Sequence, residues 1–388
     1  MTAAPTGGDR IPVLWLCGPS GVGKTTVAWQ IYTQLAQAGT DAGYVDIDQL
    51  GMCFPEPADD PGRHRLQARN LDAVVAAYRD AGARCVVVSG VVHPAHGPYP
   101  DLTPHAALTV CRLRADTDDL TRRLAEREGR APAILEETLA EAASMDANDI
   151  GDLCVDTTGV SVADVVRLVR ERAAGWTAAA DGYPPDLSAR SDAGPPRGAA
   201  DGSVLWLCGA KGVGKSTIGF TIYMNAVVRG NIPGAYVDLS QIGFVSTVGP
   251  DDPAIHRVRA RILAGLWRTC RAAGAECLAL IGPAESGAVI SGYAAELPAA
   301  TFTVCRLHAG DDELTRRIMT RGQGGSWAEP GDLLTGLPET ELRQVARAAV
   351  EQARSLDDAS VGDVRVDTDG YSAEEAAEVV LARTGWPR

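Results

Sequence analysis

The sequence predicts an α/β protein of two tandem units, each a parallel five-stranded sheet with helices on both faces. Three observations predict it. At 388 residues the chain exceeds the size at which a single hydrophobic core stops growing. The stretch VLWLCGPSGVGKTT (Val13 to Thr26) returns as VLWLCGAKGVGKST (Val204 to Thr217), identical at eleven of fourteen positions. Within each half, short apolar runs rich in β-branched residues alternate with helical patterns, which is how parallel sheets are written in sequence.

The elements follow one order in both halves. A first strand, VLWLC, leads into a glycine-rich loop and a helical run, TTVAWQIYTQLAQAG in the first half. The second strand comes next, as AGYVDIDQLG (Ala42 to Gly51) or GAYVDLSQIG (Gly234 to Gly243). A second helix begins near DDPGRHRLQARNL or DDPAIHRVRARIL, and the third strand is AGARCVVVSG or AGAECLALIG. LTVCRL or FTVCRL makes the fourth strand, and a short run ending in VDT the fifth. The units so bounded are 11–176 and 204–386, joined by a Pro-, Gly- and Asp-rich segment at 177–203 that has no hydrophobic period and is expected to be a flexible linker.

Composition narrows the function. Apolar residues make up 45% and charged residues 22%, the balance of a globular protein, and the net charge of −14 argues against nucleic acid as partner. No run of 18 apolar residues or secretory leader occurs, so a cytoplasmic protein without membrane contact is expected. The nine cysteines show no metal-binding spacing and sit mostly in apolar runs, as reduced, buried small hydrophobes do. Lysine occurs only three times, yet two of the three are Lys24 and Lys215, at the same place in the two loops. A compact ammonium suits a phosphate inside a tight loop better than a planar guanidinium.

Both loops match GxxxxGK[ST] between a strand and a helix, the context a phosphate loop requires. Backbone N–H groups of Gly18, Pro19, Ser20, Gly21, Val22, Gly23, Lys24, Thr25 and Thr26 (proline supplying only its fixed turn) would cradle phosphates at a helix N-terminus. Gly209, Ala210, Lys211, Gly212, Val213, Gly214, Lys215, Ser216 and Thr217 repeat the cradle. Lys24 would bridge β- and γ-phosphates, with Thr25, and Ser216 in the second loop, holding Mg2+. ATP is expected over GTP, since no NKxD segment occurs.

The carboxylates distinguish a kinase from a motor-type ATPase. The third strands end in Ser89-Gly90 and Gly282-Pro283, without the acidic pair an ATPase places there. Asp46 and Asp48 instead close the second strand, where period-two alternation puts both on one face at the ligand-binding edge of the sheet. One of the two carboxylates could orient metal-bound water while the other takes the proton of an acceptor hydroxyl; a pair that merely caps the next helix is the structural alternative.

Loop, DxD-like pair, small residues after strand three, arginine-bearing helix and closing VDT together resemble the P-loop small-molecule kinases, the group of shikimate kinase, gluconate kinase, adenylylsulfate kinase and chloramphenicol phosphotransferase. The resemblance covers nearly all of each half. It implies that Asp48 contacts the acceptor hydroxyl, that Arg123, Arg127 and Arg130 touch adenine or phosphates, and that Asp156 and Thr157 flank the adenine. It also implies ATP and Mg2+ as cofactors. The chain departs from shikimate kinase after strand three, where SGVVHPAHGPYP replaces a GGG run, so the acceptor is not indicated. His93 and His96 in that segment could face an acceptor or simply lie on a surface loop. Arg65 and Arg69, at i and i+4, could clamp an anionic substrate group or form a solvated face paired with Asp59 and Asp60.

The halves differ where chemistry is concentrated. Ser240 stands where Asp48 does, and a serine is no base at neutral pH. The second half also has a longer lid, Arg321 to Asp332. The expectation is a phosphotransferase acting on a hydroxyl of a small molecule, with the first half catalytic and the second binding nucleotide or docking as an intramolecular pseudo-dimer partner. A nucleotide-sensing regulator and a nucleoside monophosphate kinase are the alternatives.

Overall fold

A computed structural model describes residues 10–126, 132–177, 201–249, 252–324 and 334–387. The first repeat runs β1 (Ile11–Cys17), α1 (Lys24–Gln37), β2 (Ala42–Asp46), β3 (Cys53–Phe54), α2 (His64–Asp80), β4 (Cys85–Ser89), β5 (Ala106–Arg114), α3 (Thr117–Glu126), α4 (Pro132–Ala147), β6 (Leu153–Asp156) and α5 (Val162–Arg172). The second runs β7 (Gly202–Cys208), α6 (Lys215–Ile222), β8 (Gly234–Asp238), β9 (Phe244–Val245), α7 (Ile255–Ala272), β10 (Cys277–Ile281), α8 (Gly287–Glu296), β11 (Ala300–His308), α9 (Asp311–Gly322), α10 (Glu339–Asp358), β12 (Val364–Asp367) and α11 (Ala373–Thr384). The expected linker falls largely outside the described residues.

Two compact units result, and neither is a single stretch of sequence. Unit 1 gathers Met1–Gly51, Ala58–Ala193 and Gly243–Val258; unit 2 gathers Met52–Pro57, Gly194–Ile242 and Arg259–Arg388. In unit 1 the strand order is β6-β5-β1-β4-β2-β9. Its first five strands are parallel, whereas β9 pairs antiparallel to β2, with Gly43 opposite Val245 and Tyr44 opposite Phe244. Unit 2 has the order β12-β11-β7-β10-β8-β3, with β3 antiparallel to β8. The expectation of five strands is therefore corrected to six. Each sixth strand is two residues long, too short for a period to register, and its partner is encoded in the other repeat.

All seven residues of β1 are buried, as a continuous apolar run in a parallel sheet requires. Around it Leu14, Leu16, Ile31, Val87, Leu113 and Val166 form the core of unit 1. In unit 2 Leu205, Leu207, Ile222, Ile281, Leu307 and Val380 do the same. None of the nine cysteines forms a disulfide and, Cys154 apart, all are buried, as expected. Among the described residues no helix is long and apolar enough to cross a membrane.

Close packing dictates one glycine in β2. A Cβ on Gly43 would stand 2.4 Å from Cδ2 of Tyr78, a ring fully buried under the strand. Gly43→Ala is expected to destabilise unit 1 by about 1–3 kcal/mol through overpacking; urea unfolding of the full chain measures it.

Candidate active site

The two glycine-rich loops have the same backbone. Gly18, Gly21 and Gly23 take φ of 142°, 81° and 100°; Gly209, Gly212 and Gly214 take 141°, 81° and 99°. At Gly18 nothing but glycine fits, since a Cβ would lie 2.3 Å from the Leu113 carbonyl oxygen. The turn delivers the chain into α1 through Gly23, with no side-chain cap and no acidic residue in the first turn. By contrast, α5 and α11 are capped by Ser161 and Ser372. Open N–H groups at a helix start, with the positive end of its dipole, are donors that fit a phosphate. Lys24 is buried and its Nζ donates to the carbonyls of Gly18 (2.8 Å) and Pro19 (3.0 Å), which holds the ammonium across the loop mouth.

Asp46, the last residue of β2, is the hub beside the loop. Its Oδ2 accepts from Thr25 Oγ1 (3.0 Å) and Ser89 Oγ (2.8 Å), and its Oδ1 from the Asp48 amide (3.0 Å). A hydroxyl and a carboxylate so joined are the hard oxygen ligands that suit Mg2+. Among the described residues no three His, Cys, Asp or Glu side chains converge as a metal cage, so a cation held by Thr25 and Asp46 would take its remaining ligands from phosphate oxygens and water.

Asp48 does not lie on the strand. β2 stops at Asp46, and Ile47–Leu50 is a single 3₁₀ turn capped by the Asp46 carboxylate. The period-two argument for a shared strand face is thus corrected: the turn, not the pleat, carries Asp48 to the site, and Asp46 both caps and faces the loop. The Asp48 carboxylate accepts a bond from the Val91 backbone N–H, in the loop after β4. Asp48 itself is exposed. Partial desolvation, with Asp46 beside it, pushes its carboxyl up to about 6, against the pull of Lys24.

Arg123 of α3 is bound up in structure. Its guanidinium donates to the Val22 carbonyl (3.2 Å), to Thr157 Oγ1 (3.2 Å) and to the Thr157 carbonyl (2.7 Å), and it pairs with Asp119. It therefore braces the phosphate loop against the loop after β6. Thr157 is buried and ties that loop to Arg114 of β5, while Asp156 is exposed, ion-paired with Arg114 at 3.3 Å. Arg127 and Arg130 lie outside the described residues, as do residues 325–332 of the second lid.

Arg65 and Arg69 both stand on the exposed face of α2. Asp60 does not pair with them through charge; its two oxygens accept from the backbone amides of Arg65 (2.9 Å) and Leu66 (2.8 Å), capping the helix. His93 and His96 stack at 4.3 Å, and His64 joins them with its ring 5.2 Å from His93, a neighbour the spacing of the sequence did not reveal. His93 Nδ1 accepts from the amides of Ala95 and His96, which orders the loop.

Three residues around the site escaped sequence reasoning. Ser89 holds Asp46, and Tyr44 Oη in turn bonds Ser89 Oγ at 2.9 Å. The only sequence signal for Ser89 was its place at the end of a strand beside β2. Glu141, on the alanine-rich α4, acts electrostatically on both Lys24 and Asp48; burial raises its own carboxyl while Lys24 pulls it down. No motif marks it, because it arrives from a helix some hundred residues away along the chain.

Unit 2 repeats the cradle with different fittings. Lys215 Nζ donates to Gly209 (3.0 Å) and Ala210 (2.9 Å), and Ser216 Oγ to Asp238 Oδ2 (2.6 Å). Burial pushes the Lys215 ammonium down to about 8, against the pull of Asp238. Ser240 spends its hydroxyl on Asp238 Oδ1 (2.6 Å), so no carboxylate stands where Asp48 does. The Lys211 amide donates to Gln352 Oε1 of α10 (2.9 Å), so one donor of the loop is already used.

Comparison with known proteins gives the following. The chain matches no family profile. It is 35% identical over 86 residues to the cytosolic Fe-S cluster assembly factor NUBP2 homolog of Trichoplax adhaerens, a match spanning 22% of this chain and 31% of that protein's length. Among solved structures, the tunicamycin resistance protein of Deinococcus radiodurans is similar over 47% of this chain and 96% of its own, at 16% identity and a TM-score of 0.32. A gluconokinase of Sinorhizobium meliloti is similar over 45% and 96%, at 24% identity and a TM-score of 0.29.

Proposed function

We propose that the chain is an ATP-dependent phosphotransferase that moves the γ-phosphate to a hydroxyl of a small molecule, with its working site in unit 1. One observation carries the reading: a lysine-bearing phosphate loop, a hydroxyl–carboxylate pair (Thr25 and Asp46) and a second carboxylate, Asp48, meet at one sheet edge. A sensor or a phosphate-binding module has no use for Asp48.

The loop from Gly18 to Thr25 binds the phosphates through backbone donors, and Lys24 neutralises them. Thr25 and Asp46 would hold Mg2+, which supplies charge stabilisation on the phosphoryl oxygens when bound. Asp48, held by Val91 N–H, orients the acceptor hydroxyl and takes its proton as the hydroxyl oxygen bonds to the γ-phosphorus and the bridging oxygen leaves with ADP. Arg123 keeps the loop in register with the segment after β6. In unit 2 the hydroxyl of Ser240 is bound to Asp238, which supports a nucleotide-binding or docking role there.

The test is ADP release from ATP by the full chain against pooled cell metabolites and nucleotides, with mass spectrometry for the gain of one phosphate. Acceptor-stimulated turnover with phosphate on a hydroxyl is the expected result. Tight ATP binding without such turnover would favour a nucleotide sensor, and transfer to a nucleoside monophosphate the third alternative.

A further inference from the structure

We infer that Phe244, encoded in the second repeat, is a positioning residue for the phosphate and metal site of unit 1. The inference rests on the proposed function only in taking Asp46 as the carboxylate that holds Mg2+.

β2 ends in Asp46 and is flanked by β4 on one side and β9 on the other. Phe244 sits opposite Tyr44 in this pairing, two residues before the hub. Its ring lies 5.8 Å from that of Tyr44 and 5.1 Å from that of Trp29, edge-on to the latter, while Trp29 and Tyr44 meet at 5.0 Å. Trp29 belongs to α1, one turn beyond Lys24 and Thr25. Tyr44 Oη bonds Ser89 Oγ, which donates to Asp46 Oδ2, the oxygen that also accepts from Thr25. The aromatic triad thus holds both partners of the Thr25–Asp46 pair: Thr25 through the helix, Asp46 through Tyr44 and Ser89. Partners one shell out from a metal ligand orient it in this manner.

Two further contacts lock β9 in place. The Gly243 amide donates to Tyr78 Oη (3.1 Å), and the same hydroxyl donates to the Tyr44 carbonyl (2.8 Å). Ser246 Oγ accepts from the Ala42 amide at 2.8 Å and donates to the Thr40 carbonyl at 3.1 Å. Unit 2 lacks the relay, because Ile281 occupies the place of Ser89 and offers no hydroxyl to Asp238.

The experiment measures ATP binding to the full chain in a Lys215→Ala background by calorimetry, with Mg2+ and with EDTA. Phe244→Ala, and Tyr44→Phe, which keeps the ring but removes the hydroxyl, are compared with Phe244→Tyr. Phe244→Ala and Tyr44→Phe are expected to weaken the Mg2+-dependent gain in affinity roughly tenfold or more, leaving metal-free binding within about twofold, while Phe244→Tyr retains the parent behaviour. Equal loss with and without Mg2+, or no loss in either variant, overturns the inference. A parent chain that binds Mg2+-ATP but turns over no acceptor refutes the proposed function without touching this result. A parent with turnover and a Phe244→Ala variant with unchanged Mg2+ linkage refutes this inference alone.

Discussion

Lys24→Ala is expected to abolish acceptor-dependent ADP formation, with a loss in kcat of roughly 10²- to 10³-fold or more, since the ammonium faces charge that grows in the transition state. Lys215→Ala is expected to keep most of the activity. The two lysines make the same pair of bonds to their own loops, so the cradles alone do not distinguish them. Their surroundings do. Beside Lys24 stand Asp48 and Glu141; Lys215 feels Glu285 and Asp238, and there the Ser240 hydroxyl is bound to Asp238 and a loop amide to Gln352. Steady-state ADP release for the two variants, with ATP affinity measured alongside, decides the matter. Equal loss in both would sink the division of labour.

Asp48→Asn carries the second large effect. The amide is isosteric and its oxygen still accepts from Val91 N–H, so the fold and the ATP affinity should be unchanged. It cannot take a proton, and the rate of transfer to a hydroxyl should fall roughly 10²- to 10⁴-fold. Transfer to an acceptor phosphate needs no such base and should fall only modestly. Measuring kcat with the identified acceptor and ATP binding in parallel separates the two; an unchanged kcat with a hydroxyl acceptor would remove Asp48 from the mechanism.

Much of the site was legible because its parts are local. The GxxxxGK[ST] spacing obliges the chain to turn through three left-handed glycines into a helix start, and both loops do so with φ values matching within about a degree. Asp46 followed from the same reasoning, as a carboxylate at the end of a strand beside the loop. Asp48 was identified for the wrong geometric reason: alternation along a strand was assumed, and a 3₁₀ turn supplies it instead. The resemblance implied that Arg123 touches adenine or phosphates; its donors meet Val22 and Thr157, partners that lie 101 and 34 residues away in sequence. Ser89, Tyr44 and Glu141 were missed because nothing in their own neighbourhoods sets them apart.

By itself, then, the amino-acid sequence determined the α/β class, the doubled plan, the turn of the two glycine-rich loops and the Asp48-to-Ser240 difference, all of which depend on residue types at short, fixed spacing. The tertiary structure alone decided which segments complete each sheet and which side chains hold the Thr25–Asp46 pair. A two-residue strand has no period to read, and its place is set by an open edge, by the room left at Gly43 for Tyr78, and by bonds such as that from Ala42 to Ser246 across 204 residues. Such pairings are satisfied only when the whole chain has folded, so no local pattern announces them.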